Sequence, residues 1–90
     1  MITPGNPNPP LPSPGMQVCI PITLSAPGTP TGTVTHANGS TLSPALTQAP
    51  HPPNTYVICF TWPANNTVSD VTITVGGESI TFSVVGTGGP

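Results

Sequence analysis

The side chains here that could carry chemistry beyond hydroxyl hydrogen bonding come in pairs: Cys19 and Cys59, His36 and His51, Asp70 and Glu78. Two histidines and two carboxylates could in principle hold a divalent metal. Metal sites bring their ligands together at short spacings such as Cys-x-x-Cys or His-Glu-x-x-His, and this chain has neither. A Ser–His–Asp triad can be drawn in any serine-rich chain, but the Gly-x-Ser-x-Gly elbow that exposes a nucleophile is missing. Gly76-Gly77 precedes a strand pattern rather than a helix, so it reads as a hairpin turn and not a phosphate cradle. The histidines are therefore expected in loops or on the surface. No metal, no cofactor and no catalytic role is expected.

The charge count narrows the function further. A chain of 90 residues ordinarily carries about twenty charged side chains; this one carries two acids and no lysine or arginine. Phosphate neutralisation by Lys and Arg supplies most nucleic-acid affinity, so no nucleic-acid partner is expected. The same lack removes polybasic attraction to an anionic membrane, and no run of about twenty apolar residues could span one. The amino terminus has no basic or apolar signal-peptide region, which predicts a chain made and kept in the cytosol. A near-neutral surface does little to oppose self-association.

The elements that must position these residues are strands. Fifteen prolines and ten glycines, with many β-branched residues, leave no stretch with a sustained helical period. Residues 4–15 are expected to form an extended arm through Pro4, Pro7, Pro9, Pro10, Leu11, Pro12 and Pro14. From Met16 the pattern alternates, with Val18, Ile20, Ile22 and Leu24 on one face; Pro21 in that run predicts an edge strand or a bulge. Thr33–His36 and Ser40–Ser43 are short strands about an Asn38-Gly39 turn, and proline-rich residues 44–54 cross between sheets. Tyr56, Ile58, Phe60 and Trp62 share a face of the clearest core strand.

The last hairpin can be written out by counting. With a two-residue Gly-Gly loop, Val75 opposes Glu78, Ile73 opposes Ile80 and Val71 opposes Phe82. Thr72 then opposes Thr81, and Thr74 opposes Ser79, giving one oily and one hydroxyl face. The expected fold is all-β: a small antiparallel β-sandwich or open barrel of about six strands. It divides into an extended proline-rich N-terminal arm (1–15), a β domain (16–85) and a Gly-rich tail (86–90). The core is assigned to Val18, Ile20, Ile22, Tyr56, Ile58, Phe60, Trp62, Val71, Ile73, Ile80 and Phe82.

Cys19 and Cys59 both fall opposite the apolar faces of their strands. A bridge between them needs adjacent strands on an outer face, or a sheet buried on both sides; the alternative is two reduced core thiols. Bridged, they would contribute roughly 3–4 kcal/mol by closing their loop. Immunoglobulin domains place a tryptophan between two such cysteines, whereas here Trp62 follows the second. Asn38-Gly-Ser40 and Asn65-Asn-Thr67 match the N-glycosylation pattern in expected turns.

Taken over its whole length, the architecture resembles the small decoration (cement) proteins of tailed bacteriophages, β-rich proteins that are often trimers at three-fold positions of the capsid. The resemblance implies a non-catalytic structural protein of the virion surface, made in the host cytoplasm. Its partners would be copies of itself and a capsid shell protein, with the arm touching the shell or a neighbouring copy. The same residues also suit an extracellular filament or adhesin β-sandwich module on a Pro/Thr-rich stalk.

Overall fold

A computed structural model describes residues 1–49 and 53–90. It is all-β, with eight strands in two four-stranded antiparallel sheets packed as a sandwich. The strands are β1 (Ile2–Pro4), β2 (Gln17–Leu24), β3 (Thr31–His36), β4 (Thr41–Leu42), β5 (Thr47–Gln48), β6 (Thr55–Thr61), β7 (Val68–Val75) and β8 (Glu78–Val85). One sheet runs β1-β2-β6-β5 and the other β4-β3-β7-β8. This strand order follows the immunoglobulin-type sandwich, A-B-E-D against C-F-G, with β4 as one added strand beside C. Cysteine and tryptophan placement differs from that type, so their spacing alone did not reveal the order.

Alternation builds the core. Val18, Ile20 and Ile22 face Phe60, Ile58 and Tyr56 across the β2–β6 pair. Val34 pairs with Val71, and Ile73 with Ile80, in the opposite sheet. Val18, Ile20, Ile22, Ile58, Phe60, Trp62, Val71 and Ile73 are buried, joined by Ile2, Leu24, Val34 and Val84. Tyr56, Ile80 and Phe82 pack against this centre only partly buried. Gly32 lies under it, where a Cβ would sit 2.6 Å from Ile58 Cδ1.

The β7–β8 hairpin has the counted register throughout, including Val75↔Glu78, Ile73↔Ile80 and Val71↔Phe82. Gly76 takes φ 58° at the first loop position, which tight hairpin turns require. On the outer face the hydroxyls of Thr72 and Thr81 lie 2.9 Å apart, and those of Thr74 and Ser79 3.2 Å apart. The Asn38-Gly39 turn also forms: Gly39 N–H donates to the His36 carbonyl, and Asn38 Oδ1 accepts from the Ser40 N–H.

The amino-terminal segment differs from a projecting arm. Ile2–Pro4 pairs with β2, and Ile2 is buried. Gly5 N–H donates to the Pro21 carbonyl, and Asn8 exchanges both backbone bonds with Cys19. Residues 5–8 thus oppose 19–21, one residue more on the arm, so the bulge lies there and not in β2. The bulge explains Pro21: its nitrogen faces this irregular margin, leaving the β2–β6 ladder intact. β2 is an interior strand. A short pairing held by one buried isoleucine leaves little trace in a proline-dominated composition.

The tail is likewise tied down. Thr87 N–H donates to the Pro12 carbonyl, Gly86 N–H to Thr67 and Asn65 N–H to Gly89. Proline-rich start, strands and glycine-rich end form one body, because each end supplies backbone partners that the other lacks.

Cys19 and Cys59 are disulfide-bonded directly across β2 and β6, with Cα atoms 4.1 Å apart. Cys19 spends its backbone bonds on Asn8, so toward β6 it belongs to the closely spaced, non-hydrogen-bonded kind of pair. The bridge lies on the outer face of one sheet, the first of the two arrangements expected. Reducing it, or replacing both cysteines with alanine, is expected to lower unfolding free energy by roughly 3–4 kcal/mol. Denaturant melts with and without reductant check this; identical midpoints would show the bridge to be energetically idle.

Candidate functional site

The most connected group of polar side chains lies at one end of the sandwich, around Trp62, Asn66, Ser69 and His36. His36 follows Val34 by two residues and Ser69 precedes Val71 by two, so alternation turns both inward. Register places them opposite one another on β3 and β7. His36 Nδ1 lies 2.7 Å from Ser69 Oγ, which also accepts from Asn66 Nδ2 at 2.9 Å. Asn66 Oδ1 accepts the Ala37 N–H, and the Asn66 carbonyl accepts the indole N–H of Trp62 at 2.8 Å. Phe60 packs between the His36 and Trp62 rings, with centroids 6.1 and 6.2 Å away.

A histidine beside a serine invites comparison with a nucleophile and its base. Two observations separate this pair from that chemistry. Ser69 is 0 % exposed and His36 8 %, so no substrate atom reaches the hydroxyl. Asp70, the nearest carboxylate in sequence, turns to the outer face and accepts from Ser83 Oγ at 2.7 Å. The hydroxyl is instead taken up in internal bonds, to the imidazole at Nδ1 and from the Asn66 amide. Burial holds the His36 pKa below the ordinary histidine value. The group closes this end of the sandwich by pairing the buried side chains of His36, Asn66 and Ser69 and the Trp62 indole with one another, whereas the buried hydroxyl of Thr55 has no partner among the described residues.

This arrangement corrects the expectation of a loop or surface location for His36. His51 lies outside the described residues. The missed signal was parity: a histidine and a serine each stand two positions from a buried valine on an alternating strand.

The other candidates are dispersed. Glu78 sits at the opposite end, its Oε1 3.1 Å from the Met1 ammonium and its Oε2 3.2 Å from the Ile2 N–H. Asp70 and Glu78 therefore engage different partners on different faces. Among the described residues, no three His, Cys, Asp or Glu side chains cluster in a way that could hold a metal. An open cleft of about 510 Å³ lies beside Met1, the Ser25–Thr29 loop and Gly76. Leu24, Ala26, Pro27 and Val75 give it apolar walls, and its polar groups, the Met1 ammonium, the Ser25 hydroxyl and the Glu78 carboxylate, are engaged with one another.

What remains exposed and ordered is a hydroxyl lattice. The outer face of β3, β7 and β8 carries Thr31, Thr74 and Ser79 in one row, then Thr33, Thr72 and Thr81, then Thr35, Asp70 and Ser83. Strand geometry sets about 4.8 Å between neighbours in a row and about 6.7 Å between rows. Eight of these nine positions are hydroxyls, and Ser83 binds the one carboxylate.

Trp62 gives this end of the molecule a built-in reporter. A Cβ on Gly86 would lie 2.5 Å from Trp62 Cζ2 and 2.8 Å from the Pro12 carbonyl oxygen. Gly86→Ala is therefore expected to destabilise by about 1–3 kcal/mol and to shift Trp62 fluorescence; an unchanged melt and spectrum would contradict the close packing. For His36 the sign follows from its lowered native pKa: the unfolded chain binds the proton more readily. Stability should be fully present above the unfolded value, near 6.5, and fall as pH drops through and below it. The difference between wild-type and His36→Asn melting temperatures across pH 4.5–8 isolates this effect, and a flat difference would contradict it. Comparison with known proteins returned no matching family model, no similar curated protein and no similar solved structure.

Proposed function

We propose that this chain is a non-catalytic structural module that decorates and stabilises a viral capsid shell. The carrying observation is the three-strand hydroxyl lattice on a small, bridged sandwich whose two ends are bonded into one body. Such a face offers regularly spaced donors and acceptors that need no counter-ion, suited to lying flat against a shell or a neighbouring copy. Rigidity matters because ordering entropy is a main cost of association; here the Cys19–Cys59 bridge fastens β2 to β6, and backbone bonds hold both terminal segments to the sandwich before any partner binds.

The fold changes how the amino-terminal segment serves this reading. Ile2 and Pro12 are buried in the domain's own surface, so residues 4–15 act as a flank of the module rather than a reaching strap. Leu11, 54 % exposed, is the apolar side chain this flank offers a shell. Deleting residues 1–15 would remove core. Point changes at Pro10 and Leu11 address the contact without that damage.

The disulfide favours a second reading, an extracellular filament or adhesin module, because such bridges persist in oxidising surroundings. Asn38 and Asn65 of the two glycosylation patterns are both exposed, which suits it too. A virion surface meets the same oxidising medium after release, so the bridge is compatible with either.

Cosedimentation with purified capsids tests the first reading. Saturable binding in a fixed copy number per shell is expected, and it should persist between 0.05 and 1 M salt because no lysine or arginine contributes. Absence of binding, or binding abolished by salt, would overturn it. Recovery of the chain from the cell surface with glycans attached would favour the second reading.

A further inference from the structure

We propose that β8 is a pairing edge through which two copies of this chain join antiparallel, β8 against β8, about a two-fold axis at Thr81.

The four sheet edges are unequal. β4 and β5 are two residues long. β1 is three residues long and continues into a bulged run with Pro4, Pro7, Pro9 and Pro10. Short length, proline and bulges are the devices by which natural sheets keep edges from pairing. β8 has none of them. It runs eight residues, in unbroken register with β7, without proline, lysine or arginine.

Register identifies the groups left open. Gly86 N–H bonds to the Thr67 carbonyl, continuing the β7–β8 ladder, so even-numbered residues of β8 bond inward. The N–H and C=O of Ser79, Thr81, Ser83 and Val85 then point to the free edge, and none has a backbone partner among the described residues.

A second copy fits this edge residue by residue. With Thr81 opposite Thr81, Ser79 meets Ser83 and the outward backbone groups exchange bonds in pairs. On the inner face Ile80 meets Phe82 of the second copy, and Phe82 meets Ile80. Both are the partly buried margin of the core, and aromatic–β-branched cross-strand pairs are favourable. No charged side chain stands between Ser79 and Val85, and the two Glu78 residues fall at opposite ends. The product is an eight-stranded sheet, within the ordinary size range, whose hydroxyl lattice runs unbroken across the junction. The symmetry is closed, so growth stops at two.

This inference goes beyond the shell reading and stands or falls separately from it. Strand pairing alone buries less than the ~1,000 Å² of a stable interface, so the association depends on concentration. Sedimentation equilibrium from about 10 μM to roughly 1 mM should show mass rising from 9.0 kDa toward twice that value. The Thr81 and Ser83 amides should gain exchange protection over the same range. Thr81→Lys sets two ammonium groups across the axis and is expected to weaken the dimer about tenfold or more, with the monomer's melt retained. Thr33→Lys, two strands inward on the same face, should leave it intact. A chain monomeric at 1 mM, a dimer insensitive to Thr81→Lys, or a dimer whose Thr81 amide stays unprotected would overturn the proposal. So would protection that appears only when a shell protein is added, because the edge would then take a foreign strand.

Discussion

The closing of the sandwich depends on how Trp62 is held. Its indole is fully buried, its Nε1–H is satisfied by the Asn66 carbonyl, and its backbone bonds to Gly15 and Met16. Gly86 lies against it, and the Pro12 carbonyl lies beside Gly86 and accepts the Thr87 N–H, so the two ends of the chain meet beside the indole. One large side chain thus gathers three segments with no strong propensity of their own: the proline-rich start, the 63–66 loop and the glycine-rich tail. Asn66 carries the connection onward, through Ser69 to His36. In a chain whose one ion pair among the described residues is exposed, and so contributes little, such convergence replaces electrostatics.

The legible parts of the fold were those governed by neighbours in sequence. The β7–β8 register followed from a two-residue turn and strict alternation, since a one-residue slip would have turned Val71, Ile73 and Phe82 outward. The β2 and β6 inner faces were readable for the same reason. Less was legible where a partner lies far along the chain. Nothing local to Ile2 announces that it pairs with Leu24, and composition masked the pairing because proline suggests polyproline geometry when read alone. The disulfide was undecidable for a related reason. Alternation put both cysteines outside, but only the adjacency of β2 and β6 brings them together.

The candidate site divides in the same way. Dispersal of the carboxylates could be anticipated from spacing, whereas the inward turn of His36 could not be inferred from residue type. The strand pattern held that information, in a position where a polar residue interrupts an apolar series. Its burial is tolerated because a serine, itself held by an asparagine, stands within bonding distance, and an unpaired imidazole there would cost the fold more than an apolar replacement. The near absence of charge unites these observations. The polar side chains buried around Trp62 bond to neutral partners, while the outside is left to hydroxyls and backbone, groups that recognise surfaces by spacing rather than by sign.

The Cys19–Cys59 bridge has a mechanical meaning as well. It joins two central strands of one sheet side by side, so a pull applied outside this pair cannot extend the chain between them. A stretch of 40 residues is thereby kept out of the load path, withholding about 140 Å of slack. Tension on the ends would reach only the amino-terminal flank and the β7–β8 side. Under strain the bridged sheet would behave as a short, stiff link that yields at its margins while β2 and β6 stay fastened together.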